Sequence, residues 1–134
     1  MLAIAYVSSA AAPLGDADLA RIVETSRVAN AASGITGVLL YCDGNFMHYL
    51  EGVEDAVVHT FARIRRSRQH RHVNELMNQH IVEREFPDWY LGFSRTSATE
   101  FLAVAAARWK GSAQTGPGAA LLRGFWSSCR VRLD

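Results

Sequence analysis

Two apolar segments separated by an Asp-Gly turn place the strongest constraint on the fold of this chain. Residues 36–41 and 46–50 are rich in aliphatic and aromatic side chains, and residues 42–45 between them read Cys-Asp-Gly-Asn. An Asp-Gly pair between two such segments is typical of a tight β-hairpin, because the central turn positions adopt positive φ angles. The sequence therefore predicts an antiparallel pair of strands near the middle of the chain.

The segments on either side of the hairpin alternate between strands and helices. Residues 2–7 form an uncharged run typical of a buried strand, and residues 16–33 are expected to form a helix that Gly34 ends. A second, amphipathic helix follows the hairpin, with acids at its start and arginines at its end. Residues 73–85 and 91–93 are expected to form two further strands. The order β-α-β-β-α-β-β predicts an α+β, ferredoxin-like sheet with two helices on one face.

The end of the chain carries the signatures of two further short helices. Residues 97–100 (Ser-Ala-Thr-Glu) are a capping box, and a second apolar stripe covers residues 121–129. The Gly-rich segment 111–118 between them is typical of a flexible linker. We expect a domain over residues 1–95 and a helical extension over residues 96–134, which packs on the sheet or on a neighbouring subunit.

Composition and charge exclude several classes of protein. The 134 residues are 49% hydrophobic with a net charge of +1, as in one globular domain and unlike a strongly basic nucleic-acid binder. Cys42 and Cys129 lie far apart, without the spacing of a structural zinc site, which favours a reducing compartment. Residues 1–15 lack the positive charge of a signal peptide, and no apolar run reaches the length of a membrane span. We therefore expect a cytoplasmic protein without membrane contact.

Patterns for metal binding, nucleophilic catalysis and nucleic-acid binding are weak in this sequence. The five histidines show no metal-ligand spacing and no serine or cysteine stands in a nucleophile elbow, so we expect no metal and no catalytic residue. The densest charge cluster holds five arginines and two histidines within residues 63–72, a pattern that also binds phosphates of nucleic acids. Because it equally suits a helix end and lacks interleaved aromatic residues, nucleic acid is not an expected partner.

Short motifs within residues 1–95 occur together in a specific combination. They are Tyr6-Val7-Ser8, Glu24-Thr25-Ser26-Arg27, Gly34-Ile35-Thr36-Gly37, the run Gly-Asn-Phe-Met-His-Tyr-Leu-Glu-Gly at 44–52, and Trp89 before Gly92-Phe93. With this combination the sequence closely resembles the BLUF family, the sensors of blue light using FAD. The resemblance implies the same ferredoxin-like order of elements and a flavin held non-covalently between the two helices, over the sheet.

The resemblance also implies roles for individual residues. Tyr6 matches a tyrosine that donates an electron and a proton to the excited flavin. His48 stands where the family pattern Phe-x-Gln-x-Leu-Glu-Gly has the glutamine that relays this transfer. Trp89 matches a semi-conserved tryptophan, and Leu91 replaces a common methionine, in the strand segment that reports the flavin state. The positions that the resemblance implies for flavin binding are Ile22, Ser26, Asn30, His48, Arg63 and Ser67, where Ser67 replaces a frequent aspartate.

The exchange of glutamine for His48 changes the chemistry of the implied switch. A primary amide presents an acceptor and a donor at one tip, so it is able to rotate or tautomerise and reverse its polarity there. The two nitrogens of imidazole lie on opposite sides of the ring, so His48 would relay a proton without that reversal. Losing several polar contacts at roughly 1 kcal/mol each would weaken FAD binding, which leaves binding or its loss as open alternatives.

Two functions of different classes follow from these observations. The first is a flavin-binding sensor with an altered photoswitch, which forms a homo-oligomer and signals by contact with an unidentified downstream protein. The second is a flavin-free, light-insensitive interaction module with the same fold. An enzyme is a weaker alternative, because the sequence presents no apparent substrate-binding acid or base.

Overall fold

A computed structural model describes residues 1–107 and Leu122 of the chain. The described elements follow the predicted order, with one further helix at the end, and confirm the α+β class. They are β1 (Leu2–Ala10), α1 (Asp16–Ser33), β2 (Thr36–Cys42), β3 (Asn45–Gly52), α2 (Glu54–Arg66), β4 (His70–His80), β5 (Gly92–Arg95) and α3 (Ala98–Ala105).

The strands form one five-stranded sheet in the order β4-β1-β3-β2-β5. All neighbours are antiparallel except β2 and β5, which are parallel. The predicted hairpin joins β2 and β3, where Cys42 pairs with Asn45. Asp43 and Gly44 between them have φ angles of 46° and 85°, the positive values that an Asp-Gly turn accommodates.

The two faces of the sheet carry different helices. Alternate side chains of β1 and β3, such as Ile4 and Leu50, pack against Val57 and Phe61 of α2. Side chains of α1 pack beside them on the same face, in a cluster with Leu39, Tyr41 and Phe46. The opposite face buries a separate cluster that includes Phe101 and Val104 of α3; its sheet members include Ala3, Ala5, Val38, Leu40, Met47 and Tyr49. The predicted placement of two helices on one face is confirmed.

The capping box at the start of α3 is present. The Ser97 hydroxyl accepts from the Glu100 backbone N–H at 3.1 Å, and the Glu100 carboxylate accepts from the Ser97 N–H at 3.0 Å. The second predicted helix lies outside the described residues except for Leu122, which is helical and fully buried in the cluster with Phe101 and Val104. The division of the chain at residue 95 stays a prediction.

The last two strands differ in extent from the sequence prediction. β4 begins three residues earlier than residue 73 and ends at His80 rather than at Glu85. His80 pairs with Leu2, the first residue of β1, so the ladder ends there. Farther along the chain, the backbone N–H groups of Glu85 and Phe86 donate to the Glu51 carboxylate at 2.7 Å. β5 covers Gly92–Arg95, one residue later at its start and two later at its end than predicted.

Candidate functional site

Tyr6 and His48 form a buried pair at the centre of the sheet, on the face that carries α1 and α2. They are direct neighbours in the register of β1 and β3, and their side chains are only 1% and 7% exposed. The Tyr6 hydroxyl lies 2.9 Å from His48 Nδ1, and the two rings pack edge to face. Phe61 of α2 packs on the Tyr6 ring with centroids 5.4 Å apart. The structure therefore brings together the two residues that the sequence singled out as a switch.

Burial determines the protonation of both members of this pair. It raises the pKa of Tyr6 above its ordinary range, so the phenol stays protonated. Burial, together with the nearby charge of His70, lowers the pKa of His48 to about 3, so the imidazole is neutral. When the protonated phenol donates to Nδ1, the single N–H of neutral His48 lies on Nε2.

His48 Nε2 is the unsatisfied atom of the pair. It is buried and has no hydrogen-bond partner within the described part of the chain. A buried polar group without a partner costs about 1–3 kcal/mol. The arrangement therefore leaves a buried donor without a partner on the face of the sheet that carries α1 and α2, and a ligand that accepts a hydrogen bond would satisfy it.

The depressed pKa of His48 predicts a stability that depends on pH. Between the ordinary pKa of 6.5 and about 3, the unfolded chain binds a proton that the folded chain does not. The free energy of unfolding that depends on a neutral His48 is therefore fully present above pH 6.5 and is lost as the pH falls toward 3. When the pH is lowered from 7 to 5, the unfolding free energy of the wild type should therefore fall by about 2 kcal/mol more than that of His48→Gln. Urea denaturation at the two pH values measures this difference.

A matched control is His59→Gln, because His59 is an exposed histidine on α2. This variant should keep the pH dependence of the wild type. Equal losses of stability in wild type and His48→Gln between pH 7 and pH 5 would contradict a neutral, buried His48.

His70 is a second histidine beside Tyr6 that the sequence analysis did not place in the site. Its Nδ1 lies 2.9 Å from the Ser8 hydroxyl, and its ring centroid lies 6.3 Å from that of Tyr6 and 5.3 Å from that of Phe46. Sequence reasoning assigned His70 to a basic helix end because it placed the start of β4 three residues too late. No regular alternation marked an earlier strand, because His72 has a φ angle of 54° in the irregular part of β4 and lines a cavity beside α3.

Residues 89–91 connect α1 to the sheet through three successive backbone carbonyl groups. Gly37 N–H donates to the Trp89 carbonyl at 2.9 Å, and the Asn30 side-chain amide donates to that of Tyr90 at 2.6 Å. Arg27 Nε donates to the Leu91 carbonyl at 2.8 Å. The side chains diverge, because Leu91 is buried in the cluster below α1 while Trp89 packs against the cluster that contains α3. The segment thus contacts both faces of the sheet.

Ile22 and Ser26 line a cavity at the side of α1 that faces the loop between α2 and β4. Its volume is about 330 Å³, within the usual range of ligand pockets. The other lining residues come from the β1–α1 loop, from α1 and from the α2–β4 loop; they are Ala11, Ala12, Leu14, Asp18, Arg21, Thr25, Arg68 and Gln69. Two of the predicted binding positions therefore lie on a cavity, and Arg21 and Arg68 are lining residues that the sequence analysis did not identify.

The other two predicted binding positions on or beside α2 are placed differently. Arg63 is exposed on α2 and does not belong to the lining of this cavity. The Ser67 hydroxyl accepts from the Gln69 backbone N–H at 3.2 Å and so stabilises the turn that follows α2. Arg68 lies within this turn and lines the cavity.

Glu51 fixes the loop before residues 89–91. It is fully buried, and its carboxylate accepts from the Thr36 hydroxyl as well as from the Glu85 and Phe86 N–H groups. Burial raises the pKa of Glu51, while these donors and Arg84 act in the opposite direction. Because three donors converge on one carboxylate, the loop that leads to Trp89 is held at the ends of β2 and β3, where Thr36 pairs with Glu51.

A metal-binding cluster or a membrane-spanning helix would indicate a function of another class. Among residues 1–107 and Leu122, no three His, Cys, Asp or Glu side chains are grouped as a metal site would require. Within the same residues, no helix has the length and apolar character needed to cross a membrane.

Comparisons with known proteins agree with this geometry. Residues 1–92 match the family model "BLUF: Sensors of blue-light using FAD". The photoactivated adenylate cyclase subunit beta of Euglena gracilis is 40% identical over 98 residues, which are 72% of this chain and 11% of the relative. The chain therefore spans about a tenth of the length of the curated relatives it matches.

Solved structures give the same result. BlrB, a BLUF protein in its dark state, is 31% identical with a TM-score of 0.67 over 78% of each chain. BlrP1 of Klebsiella pneumoniae, solved with FMN and cyclic diGMP, is 31% identical with a TM-score of 0.65 over 71% of this chain and 26% of that one.

Proposed function

Since this chain belongs to the BLUF family of blue-light sensors, we propose that it holds FAD non-covalently and that its photoswitch is altered at His48. The observation that carries this proposal is the buried pair of Tyr6 and His48, whose free donor Nε2 has no partner among the described residues. The members of the family are flavin sensors, and the solved relative BlrP1 contains FMN. A flavin ring presents carbonyl and imine acceptors at its edge, so the residues present fit this group.

The residues proposed to hold the flavin lie along one side of α1 and beneath it. Ile22, Ser26 and Asn30 follow one another at four-residue intervals, so they share one face of the helix. His48 would donate to the ring from the sheet. When bound, the flavin supplies absorption of blue light and accepts an electron.

Tyr6 and His48 would form a one-directional proton relay. Tyr6 donates to His48 Nδ1, and His48 donates from Nε2 on the other side of the ring. A glutamine amide at this position would be able to present either a donor or an acceptor to the same atom. Imidazole has no donor and acceptor at one tip to exchange by rotation, so His48 reverses this hydrogen bond only by passing on its Nε2 proton and taking the Tyr6 proton at Nδ1, and the original direction returns when the protons move back.

The proposed output passes through residues 89–91. These residues accept hydrogen bonds from Asn30 and Arg27 on α1, and their side chains contact both faces of the sheet. A shift at α1 would therefore alter the packing of Trp89 beside α3. We propose that the surface formed by Trp89 and α3 contacts a second copy of the chain and a downstream protein. The chain would act as a sensor, since the BLUF family model covers residues 1–92.

The absorbance spectrum of purified protein after incubation with FAD tests this proposal. We expect a flavin band that persists through gel filtration, because a bound flavin would give the Nε2 donor of His48 a partner and contact the face of α1 that carries Ile22, Ser26 and Asn30. We also expect no reversible red shift of that band under blue light. Chromatography of the released flavin would identify FAD, FMN or riboflavin.

Each alternative gives a different spectrum. Protein of normal stability that stays colourless with all three flavins would contradict the proposal and support the flavin-free interaction module. A reversible red shift in the wild-type chain would leave flavin binding intact and contradict the altered switch.

A further inference from the structure

We infer that Arg21 and Arg68 form a phosphate subsite, so that this chain prefers the phosphorylated flavins FMN and FAD to riboflavin. The inference rests on the proposed function, because it concerns the tail of the same flavin. It assigns a specificity to the cavity beside α1, which the Tyr6–His48 pair does not determine.

The composition of the cavity wall suits a phosphate group. Arg21 comes from α1 and Arg68 from the α2–β4 loop, so two guanidinium groups line one cavity from different elements. Guanidinium groups bind phosphate oxygens with paired N–H donors. The same wall carries the hydroxyl groups of Thr25 and Ser26 and the amide of Gln69, which are additional donors.

The position of the cavity relative to the ring site supports this assignment. Ile22 and Ser26 line the cavity, and Asn30 lies one helical turn beyond Ser26 toward residues 89–91. A flavin with its ring near Asn30 and His48 and its tail along this face of α1 would bring that tail to Ile22 and the cavity. In that arrangement Arg21 and Arg68 would contact the phosphate of FMN.

Asp18 opposes the two arginines and makes the inference more specific. It lines the same cavity, and its carboxylate lies 3.8 Å from Arg21 as a loose, exposed ion pair. Two cations and one anion leave the wall positive. Removing the anion should therefore strengthen the binding of a phosphate, whereas removing either cation should weaken it.

The experiment compares the affinities of riboflavin and FMN for the full chain by quenching of flavin fluorescence at low salt. We expect FMN to bind the wild type about five times more tightly than riboflavin, as is typical of a partly exposed charge-assisted contact. The ratio should fall to near one in Arg68→Gln and rise in Asp18→Asn. It should also fall as salt is added, since exposed charges are screened.

Arg66→Gln is the matched control. Arg66 is an exposed arginine at the end of α2, two residues from Arg68, and does not line the cavity. It should keep the wild-type ratio, although it removes the same charge. A loss of FMN preference in Arg66→Gln equal to that in Arg68→Gln would overturn the subsite in favour of a general effect of surface charge.

The remaining outcomes separate the two proposals. If riboflavin and FMN bind the wild type equally, the phosphate subsite is wrong while the flavin sensor stands. If no flavin binds, both are wrong. Displacement of FMN by AMP at equal concentration would also overturn the inference, because it would indicate a nucleotide site rather than a flavin-tail site.

Discussion

His48→Gln is expected to give a reversible red shift of flavin absorbance under blue light, whereas the wild-type chain gives none. The substitution puts a primary amide beside the Tyr6 hydroxyl, where His48 Nδ1 lies 2.9 Å away in the wild type. The amide presents both acceptor and donor at one tip, so it is able to reverse the hydrogen bond that it offers to the flavin. Absorbance spectra of FAD-loaded protein, recorded in the dark, in blue light and after return to darkness, measure the effect.

A second substitution in the same background identifies the origin of the red shift. Tyr6→Phe in His48→Gln should retain the flavin and lose the red shift, because the phenol hydroxyl is the donor in the pair. His59→Gln, an exposed change of the same type on α2, should leave the spectra of the wild type unchanged. If His48→Gln binds flavin and stays inert, then the defect lies elsewhere than in His48.

The order of elements was predictable from the sequence because local signals agree with the tertiary structure. The Asp-Gly turn, Gly34 at the end of α1 and the capping box at Ser97 are all present, and each depends on residues close in the chain. The end of β4 was not predictable in this way. It depends on the pairing of His80 with Leu2 at the start of β1, 78 residues away in the sequence.

The residues of the candidate site also fall into those that the sequence predicted and those that depend on contacts between distant parts of the chain. Tyr6 and His48 were predictable as a pair, and the register of β1 and β3 places them side by side. His70 was missed because its contact with Ser8 spans 62 residues and requires the correct start of β4. Arg68 was missed for a related reason, since only the turn after α2 decides which arginine of the basic cluster reaches the cavity.

Residues 89–91 are hydrogen-bonded both to α1 and to strand β2 of the sheet. Gly37 of β2 donates to Trp89, and the α1 side chains Asn30 and Arg27 donate to the next two residues. Side-chain bonds from α1 are able to change when a ligand occupies the face that Asn30 shares with Ser26. The bond from Gly37 is between backbone groups and fixes the other end of the segment.

Gly37→Ala is expected to lower the unfolding free energy by about 3 kcal/mol or more, the largest effect on stability that we predict. A Cβ atom at this position would lie 1.9 Å from the Tyr49 carbonyl oxygen and 2.9 Å from its carbonyl carbon, and the φ angle of Gly37 is 158°. The obstacle is backbone of β3, so no side-chain rotation relieves it, and β2 must separate from β3. Chemical denaturation monitored by circular dichroism would measure the loss.

The matched control is Gly15→Ala at the start of α1. There an added Cβ meets only the Asp18 carboxylate, at 3.7 Å, so the cost should stay below about 1 kcal/mol. Gly37→Ala should also speed amide hydrogen exchange in β5, because Gly37 donates to Trp89 and β5 pairs with β2. A Gly37→Ala protein as stable as Gly15→Ala would contradict the close approach of β2 and β3 at Gly37 and Leu50.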